Sequence, residues 1–103
     1  MAIAFKSTWV QFDPTKGQKQ REPGTVTFPS KVKTANAAIK GFRIGYTDKD
    51  HHIYQIEVDV DMASIVGPTV NFFVDFLLRD SSGYIDDRYG GWVEVLVIAE
   101  IES

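Results

Sequence analysis

Two apolar segments near the C-terminus, residues 68–79 and 92–101, constrain the fold of this 103-residue chain more than any other feature. A β-strand presents alternate side chains to opposite faces of its sheet. In both segments large apolar side chains occupy both alternations, with Phe73, Leu77 and Leu96 opposite the main row. A two-layer domain of this size has little interior for a second apolar face. These side chains are therefore predicted to contact another copy of the chain or a further layer.

The same period of two continues through most of the sequence. The alternation is cleanest in residues 54–62, whereas the segment 35–46 is interrupted by Gly41 and Gly45, which favour a bulge. No stretch of ten or more residues has the 3.6-residue period of an amphipathic helix. Six strands are predicted, at residues 3–12, 25–28, 35–46, 54–62, 68–79 and 92–101. The sequence therefore predicts one all-β domain over residues 1–103, a six-stranded antiparallel β-sandwich.

Composition excludes several functional classes. The net charge of −3 and the isoelectric point near 5.2 argue against a nucleic-acid partner, which calls for a clustered basic face. The densest basic stretch, residues 16–21, is interpreted as a solvated loop in preference to an anion site. Because cysteine is absent, a disulfide, a thiolate metal site and a cysteine nucleophile are all excluded.

No segment of the sequence has the features of a membrane span or an export signal. The N-terminal residues lack a basic stretch followed by an apolar run and a cleavage site, and no apolar run approaches the ~20 residues that cross a bilayer. The expectation is a soluble protein without membrane insertion, cytoplasmic by default, with export by another route left open.

The loop before the fourth predicted strand is the first candidate site. It carries Asp48, Asp50, His51 and His52. Neighbouring residues that enter a strand point to opposite faces, so the two histidines are not expected to share a metal ion. An ordinary loop is the favoured interpretation, with these side chains available to hydrogen-bond a ligand at the rim of the sandwich.

The loop between the two apolar segments is the second candidate site. Its carboxylates lack the spacing of a calcium loop. They suit a sugar better, because carboxylates accept bonds from hydroxyl groups, arginine donates to oxygens, and a tyrosine ring covers the C–H face of a pyranose. A plain solvated hairpin remains the alternative. The residues concerned are Asp80, Tyr84, Asp86, Asp87, Arg88 and Tyr89.

Catalysis is the least favoured interpretation. A pair of carboxylates chosen from Asp59, Asp61 and Asp75, acting with a histidine, would need a cleft that raises the pKa of one of them. The sequence contains no nucleophile elbow, zinc-protease helix or phosphate loop. Neither an enzyme, a metal nor a cofactor is expected. For Trp9 and Trp92, a core or subunit contact is favoured over stacking on a sugar.

The order of these features resembles the H-type lectins. The resemblance rests on four pieces: TVTFP at residues 25–29, the pair Gly41-Phe42, the alternating strand 53–62 and VLVIA at residues 95–99. It implies a six-stranded sandwich that forms trimers and binds sugars of the galactose or N-acetylgalactosamine type between protomers, without catalysis.

The leading hypothesis is a non-catalytic lectin that acts as a multivalent homo-oligomer, with its sites built from the two loops. Several weak sugar sites gain avidity when one oligomer engages them together. A structural or assembly subunit without a sugar ligand is the alternative, because the same second apolar face would pack against neighbours. Hydrolysis depending on Asp75 or His52 is a third, weaker hypothesis.

Overall fold

The computed structural model describes residues 2–15, 19–46, 53–80 and 88–102. All strand pairs are antiparallel, and two three-stranded sheets form, in the orders β1-β6-β3 and β2-β5-β4. The predicted all-β sandwich is confirmed. In the described part of the chain, no helix is long and apolar enough to cross a membrane. The strands are β1 (Ala2–Thr15), β2 (Gln20–Thr27), β3 (Val32–Tyr46), β4 (Ile53–Val66), β5 (Thr69–Asp80) and β6 (Tyr89–Ile101).

The sandwich is long and narrow, measuring 52 × 18 × 17 Å. Its length follows from its strands, because the 14 residues of β1 span about 46 Å at the usual rise per residue. Its narrowness follows from having only three strands in each sheet. Only the middle strand of such a sheet has a neighbour on both sides, and the middle strands are β5 and β6. The two apolar segments of the sequence therefore form the centre of the two sheets.

The core lies between the inner faces of β5 and β6. Phe72 and Phe76 from β5 and Val95 from β6 are at most 1% exposed. Phe12 of β1 stacks on Phe76, with 4.3 Å between ring centroids. Burial of each such side chain contributes about 1.5–3 kcal/mol, so these rows supply most of the driving force for folding.

One end of the sandwich is closed by the β4–β5 turn. Gly67 and Pro68 form this two-residue turn, and the φ of 59° at Gly67 suits glycine. The segment that connects β2 to β3 is hydrogen-bonded to this turn. Phe28 N–H donates to the Pro68 carbonyl and Val32 N–H donates to the Gly67 carbonyl, both at 2.9 Å. The two sheets are thereby tied together at this end.

The strand boundaries differ from the sequence-based ones mainly at β2. This strand begins at Gln20, so the prediction of a solvated loop was wrong for Gln20 and Arg21. Arg21 lies directly opposite Asp75 of β5, and this charge pairing stabilises a strand where the alternation of apolar residues is weak. The bulge predicted in β3 is confirmed by a register shift between Ile39 and Gly41.

Leu77 shows how the β2-β5-β4 sheet covers its own outer face. It points away from the core, yet it is only 3% exposed. Glu57 lies opposite Leu77 in the register, and Lys19 reaches Glu57 across β5 with Nζ 2.6 Å from Oε1. The aliphatic stem of a lysine can cover apolar surface while its ammonium group stays in water. Leu77 is therefore already buried within one chain, where the sequence predicted a contact with another copy or a further layer.

Arg21 covers the same face further along β5. Its guanidinium lies 4.5 Å from the centroid of the Phe73 ring and donates to both carboxylate oxygens of Asp75, at 2.8 and 2.9 Å. It also lies 3.6 Å from Asp61 of β4.

Gly24 of β2 is required by a close approach of two strands. A Cβ atom at this position would lie 2.3 Å from the ring of Phe72 and 3.1 Å from Val10 of β1. We expect Gly24→Ala to lower the free energy of unfolding by about 1–3 kcal/mol, because it overpacks the core. Gly45→Ala is the control, since an added Cβ there has no neighbour within 4 Å. Chemical denaturation measures both, and equal stability of the two variants would contradict this packing.

The Arg21–Asp75 pair gives a second prediction. Asp75 is 8% exposed, so removal of Arg21 leaves a carboxylate that water reaches poorly. We expect Arg21→Ala to lower the free energy of unfolding by about 1–2 kcal/mol, a value moderated by the half-exposed arginine. Lys40→Ala is the matched control, because Lys40 is 53% exposed and meets Glu94 at the longer distance of 3.4 Å, so its loss should cost less than about 0.5 kcal/mol. Urea unfolding that ranks the two variants in the opposite order would refute the assignment.

Candidate functional site

The strand ends that flank the two predicted binding loops lie at one end of the sandwich. Tyr46, the last residue of β3, pairs with Tyr89, and Ile53, the first residue of β4, pairs with Asp80. Arg88 is exposed beside them. The predicted residues Asp48, Asp50, His51, His52, Tyr84, Asp86 and Asp87 lie outside the described residues.

Tyr89 does not offer its ring to a ligand as the sequence predicted. It is fully buried, and its hydroxyl donates to the Phe76 carbonyl at 3.1 Å. Its own carbonyl accepts a bond of 3.0 Å from Nε2 of Gln20, another buried side chain. Tyr89 is thus a core residue that joins the start of β6 to β2 and β5. The burial of Tyr89 follows from the alternation of β6, because Tyr89 continues the inward row of Val93 and Val95.

The three aspartates considered for catalysis do come together. Carboxylate oxygens of Asp59, Asp61 and Asp75 lie within 4.8 Å of one another on the outer face of the β2-β5-β4 sheet. Arg21 engages two of them. They lie side by side on one sheet face, whereas glycoside hydrolysis needs two carboxyl groups on either side of the scissile bond. The arrangement is that of a charge cluster balanced by Arg21 and Lys19.

The outer face of the β1-β6-β3 sheet carries a group of exposed apolar side chains on its β1 side, although Glu94 and Glu100 share this face. Ile3, Phe5 and Trp9 of β1 are 60%, 66% and 59% exposed, and Ile98 of β6 is 38% exposed. Trp9 meets Trp92 edge to face, with 4.5 Å between ring centroids. Contiguous apolar surface of this kind is typical of an interaction site. We call this surface the apolar face and define it by Ile3, Phe5, Trp9, Trp92, Leu96 and Ile98.

An open groove of about 740 Å³ begins beside the apolar face. It runs from β1 over β2 to the outer side of β5 and β4. Trp9 and Phe73 supply its aromatic lining, and Thr25, Asn71 and Ser64 supply hydroxyl and amide groups. Gly24 permits this arrangement, since a side chain at this position would meet both the Phe72 ring and Val10 of β1. Trp9 is shared by the groove and the apolar face.

A smaller hollow of about 250 Å³ lies at the end that carries the predicted loops. Gln11, Arg43, Tyr46 and Gly90 are among its lining residues. It therefore combines a guanidinium, an amide and an aromatic ring close to Arg88.

Sequence analysis did not identify the groove. Ser64 and Asn71 face each other across the β4–β5 hairpin, but Thr25 joins them only because β2 pairs with β5. The register of non-consecutive strands is not encoded in local alternation. The exposure of Trp9 had a signal in the sequence, because Ile3, Phe5 and Trp9 share one alternation of β1.

Comparison of the chain with protein-family models, with curated proteins and with solved structures found no match. The resemblance to the H-type lectins therefore stays a prediction from the sequence.

The burial of Tyr89 predicts a pH effect. Burial raises the pKa of its hydroxyl above the ordinary value of 10.0 in the folded chain, whereas the unfolded chain ionises at the ordinary value. Below pH 10.0 the hydroxyl is protonated in both the folded and the unfolded chain, and its full contribution to the free energy of unfolding is present. This contribution is lost as the pH rises through the pKa of the folded chain. We expect Tyr89→Phe to lose stability less steeply than the wild type above about pH 10. Urea unfolding across this range measures the slopes, and parallel slopes would contradict the prediction.

Proposed function

We propose that the protein is a non-catalytic carbohydrate-binding module that works as a multivalent oligomer of this chain. Sugars of the galactose or N-acetylgalactosamine type are the first ligands to test, because the sequence resembles the H-type lectins. Individually weak sites gain about 10²–10⁴ in avidity when one assembly carries several of them.

The apolar face is the observation that carries this proposal. On the opposite sheet, Leu77 is only 3% exposed and the Arg21 guanidinium lies over the Phe73 ring. On the apolar face, by contrast, the edge strand β1 adds Ile3 and Phe5 to the exposed apolar surface. The charged pair Lys40–Glu94 lies on the β3 side of this sheet and leaves the β1 side uncovered. Contact with a second copy would remove this surface from water.

The chemistry next to the apolar face favours a sugar over other ligands. Exposed aromatic rings and neutral hydroxyl and amide groups are the groups that bind a pyranose, through its C–H face and its hydroxyls respectively. An assembly subunit without a sugar ligand would use the same apolar face. It would not need the groove that opens beside it.

A glycan array tests the proposal. We expect the wild type to bind dense neutral glycans, and Phe5→Ser to lose about 10²-fold in apparent affinity on the array while soluble sugar binds it unchanged. Phe5 is 66% exposed, so this change should leave the fold intact. Val66→Ser is the matched control, because Val66 is 65% exposed but lies on the other sheet.

The outcomes separate the possibilities. Silence of the wild type across a broad array would remove the carbohydrate hypothesis, and an oligomer without a glycan response would favour the assembly subunit. Equal array binding by Phe5→Ser and the wild type would show that the apolar face does not provide multivalency.

A further inference from the structure

The lining of the groove is uncharged. Eleven residues from β1, β2, β4 and β5 surround its volume of about 740 Å³. Within the described chain, none of these lining residues has an ionisable side chain. Just outside the groove, Asp61 lies opposite Phe73, and Arg21 is already bound by Asp75. An anionic ligand would therefore meet carboxylates and find no uncommitted arginine in this part of the surface.

A polar row crosses the groove from one sheet edge to the other. Thr25, Asn71 and Ser64 are consecutive partners on β2, β5 and β4. Asn71 Nδ2 donates to Ser64 Oγ at 3.2 Å, and Thr25 Oγ1 donates to the Val70 carbonyl at 3.3 Å. The Asn71 carbonyl oxygen and the Ser64 hydroxyl hydrogen take no part in these bonds. The row can therefore both accept from and donate to the hydroxyls of a ligand.

Trp9 gives the groove an aromatic wall. Its side chain stays 59% exposed even though it meets Trp92. An indole ring stacks well on the apolar C–H face of a pyranose. A purely apolar ligand fits less well, because it would cover the hydroxyl and amide groups of the row without replacing their bonds to water.

We propose that this groove is a saccharide site that takes a neutral pyranose, with the C–H face of the sugar on Trp9 and its hydroxyls on the Thr25–Asn71–Ser64 row. The proposal rests on the proposed carbohydrate function and locates the site away from the loops predicted from the sequence. Acidic sugars are excluded by the carboxylates beside the groove.

Titration with neutral methyl pyranosides tests the groove. The panel contains the galactoside, N-acetylgalactosaminide, glucoside and mannoside, with galacturonate as the anionic comparison, and tryptophan fluorescence reports binding. We expect at least one neutral pyranoside to bind, and Asn71→Ala and Ser64→Ala each to weaken it by about tenfold, the loss of one hydrogen bond. Galacturonate should bind more weakly than the galactoside.

Two control variants test whether the loss of affinity is specific to the groove. Thr69→Ala changes the same strand two residues away, removing a hydroxyl that lies 3.1 Å from Thr27 outside the groove, and it should leave affinity unchanged. Arg88→Ala, at the predicted rim, should also leave it unchanged. Thermal unfolding verifies that each variant is folded.

The results that overturn the inference differ from those that overturn the function. If Arg88→Ala abolishes binding while Asn71→Ala and Ser64→Ala retain it, the saccharide site does not lie in the groove, but the proposed carbohydrate function stands. Tighter binding of galacturonate than of the galactoside would also refute the neutral groove. If the wild type binds no pyranoside at all, both proposals fail.

Discussion

The apolar character of both faces of β5 and β6 is the constraint on which the rest of the structure depends. Their inner faces interlock and form the core, which requires each strand to be the centre of its sheet. Their outer faces still carry large apolar side chains, Phe73 and Leu77 on β5 and Leu96 and Ile98 on β6. In a three-stranded sheet, side chains from the two edge strands are the main material that can cover the outer face of the middle strand.

The two sheets meet this constraint differently. In the β2-β5-β4 sheet, Lys19 and Arg21 from one edge reach carboxylates of β4 and β5, and the Arg21 guanidinium lies over the Phe73 ring. In the β1-β6-β3 sheet, the edge strand β1 contributes further apolar side chains to the surface. The large apolar side chains of β5 are therefore buried within one chain, whereas the apolar face would lose contact with water only by binding another molecule. The groove lies at the border between them, and Trp9 belongs to both.

The fold could be predicted from the sequence because the alternation of apolar and polar residues is a local signal, and five of the six strands show it. The start of β2 was missed, because Arg21 is held there by Asp75, 54 residues later in the chain. The same kind of distant pairing explains why Lys19 lies near Leu77 and why Thr25 and Asn71 are neighbours. Register between distant strands depends on cross-strand packing and charge, which a single sequence does not reveal.

We propose that Ile3, Phe5 and Ile98 of the apolar face are covered by another copy of the chain, whereas Trp9 at the border of this face stays open to the groove. Sedimentation equilibrium of the wild type tests it most directly, because the measured mass does not depend on shape or on any ligand. We expect a mass of two or more chains, each of 11.6 kDa. A mass of one chain at every concentration, with a well-behaved and folded sample, would contradict it.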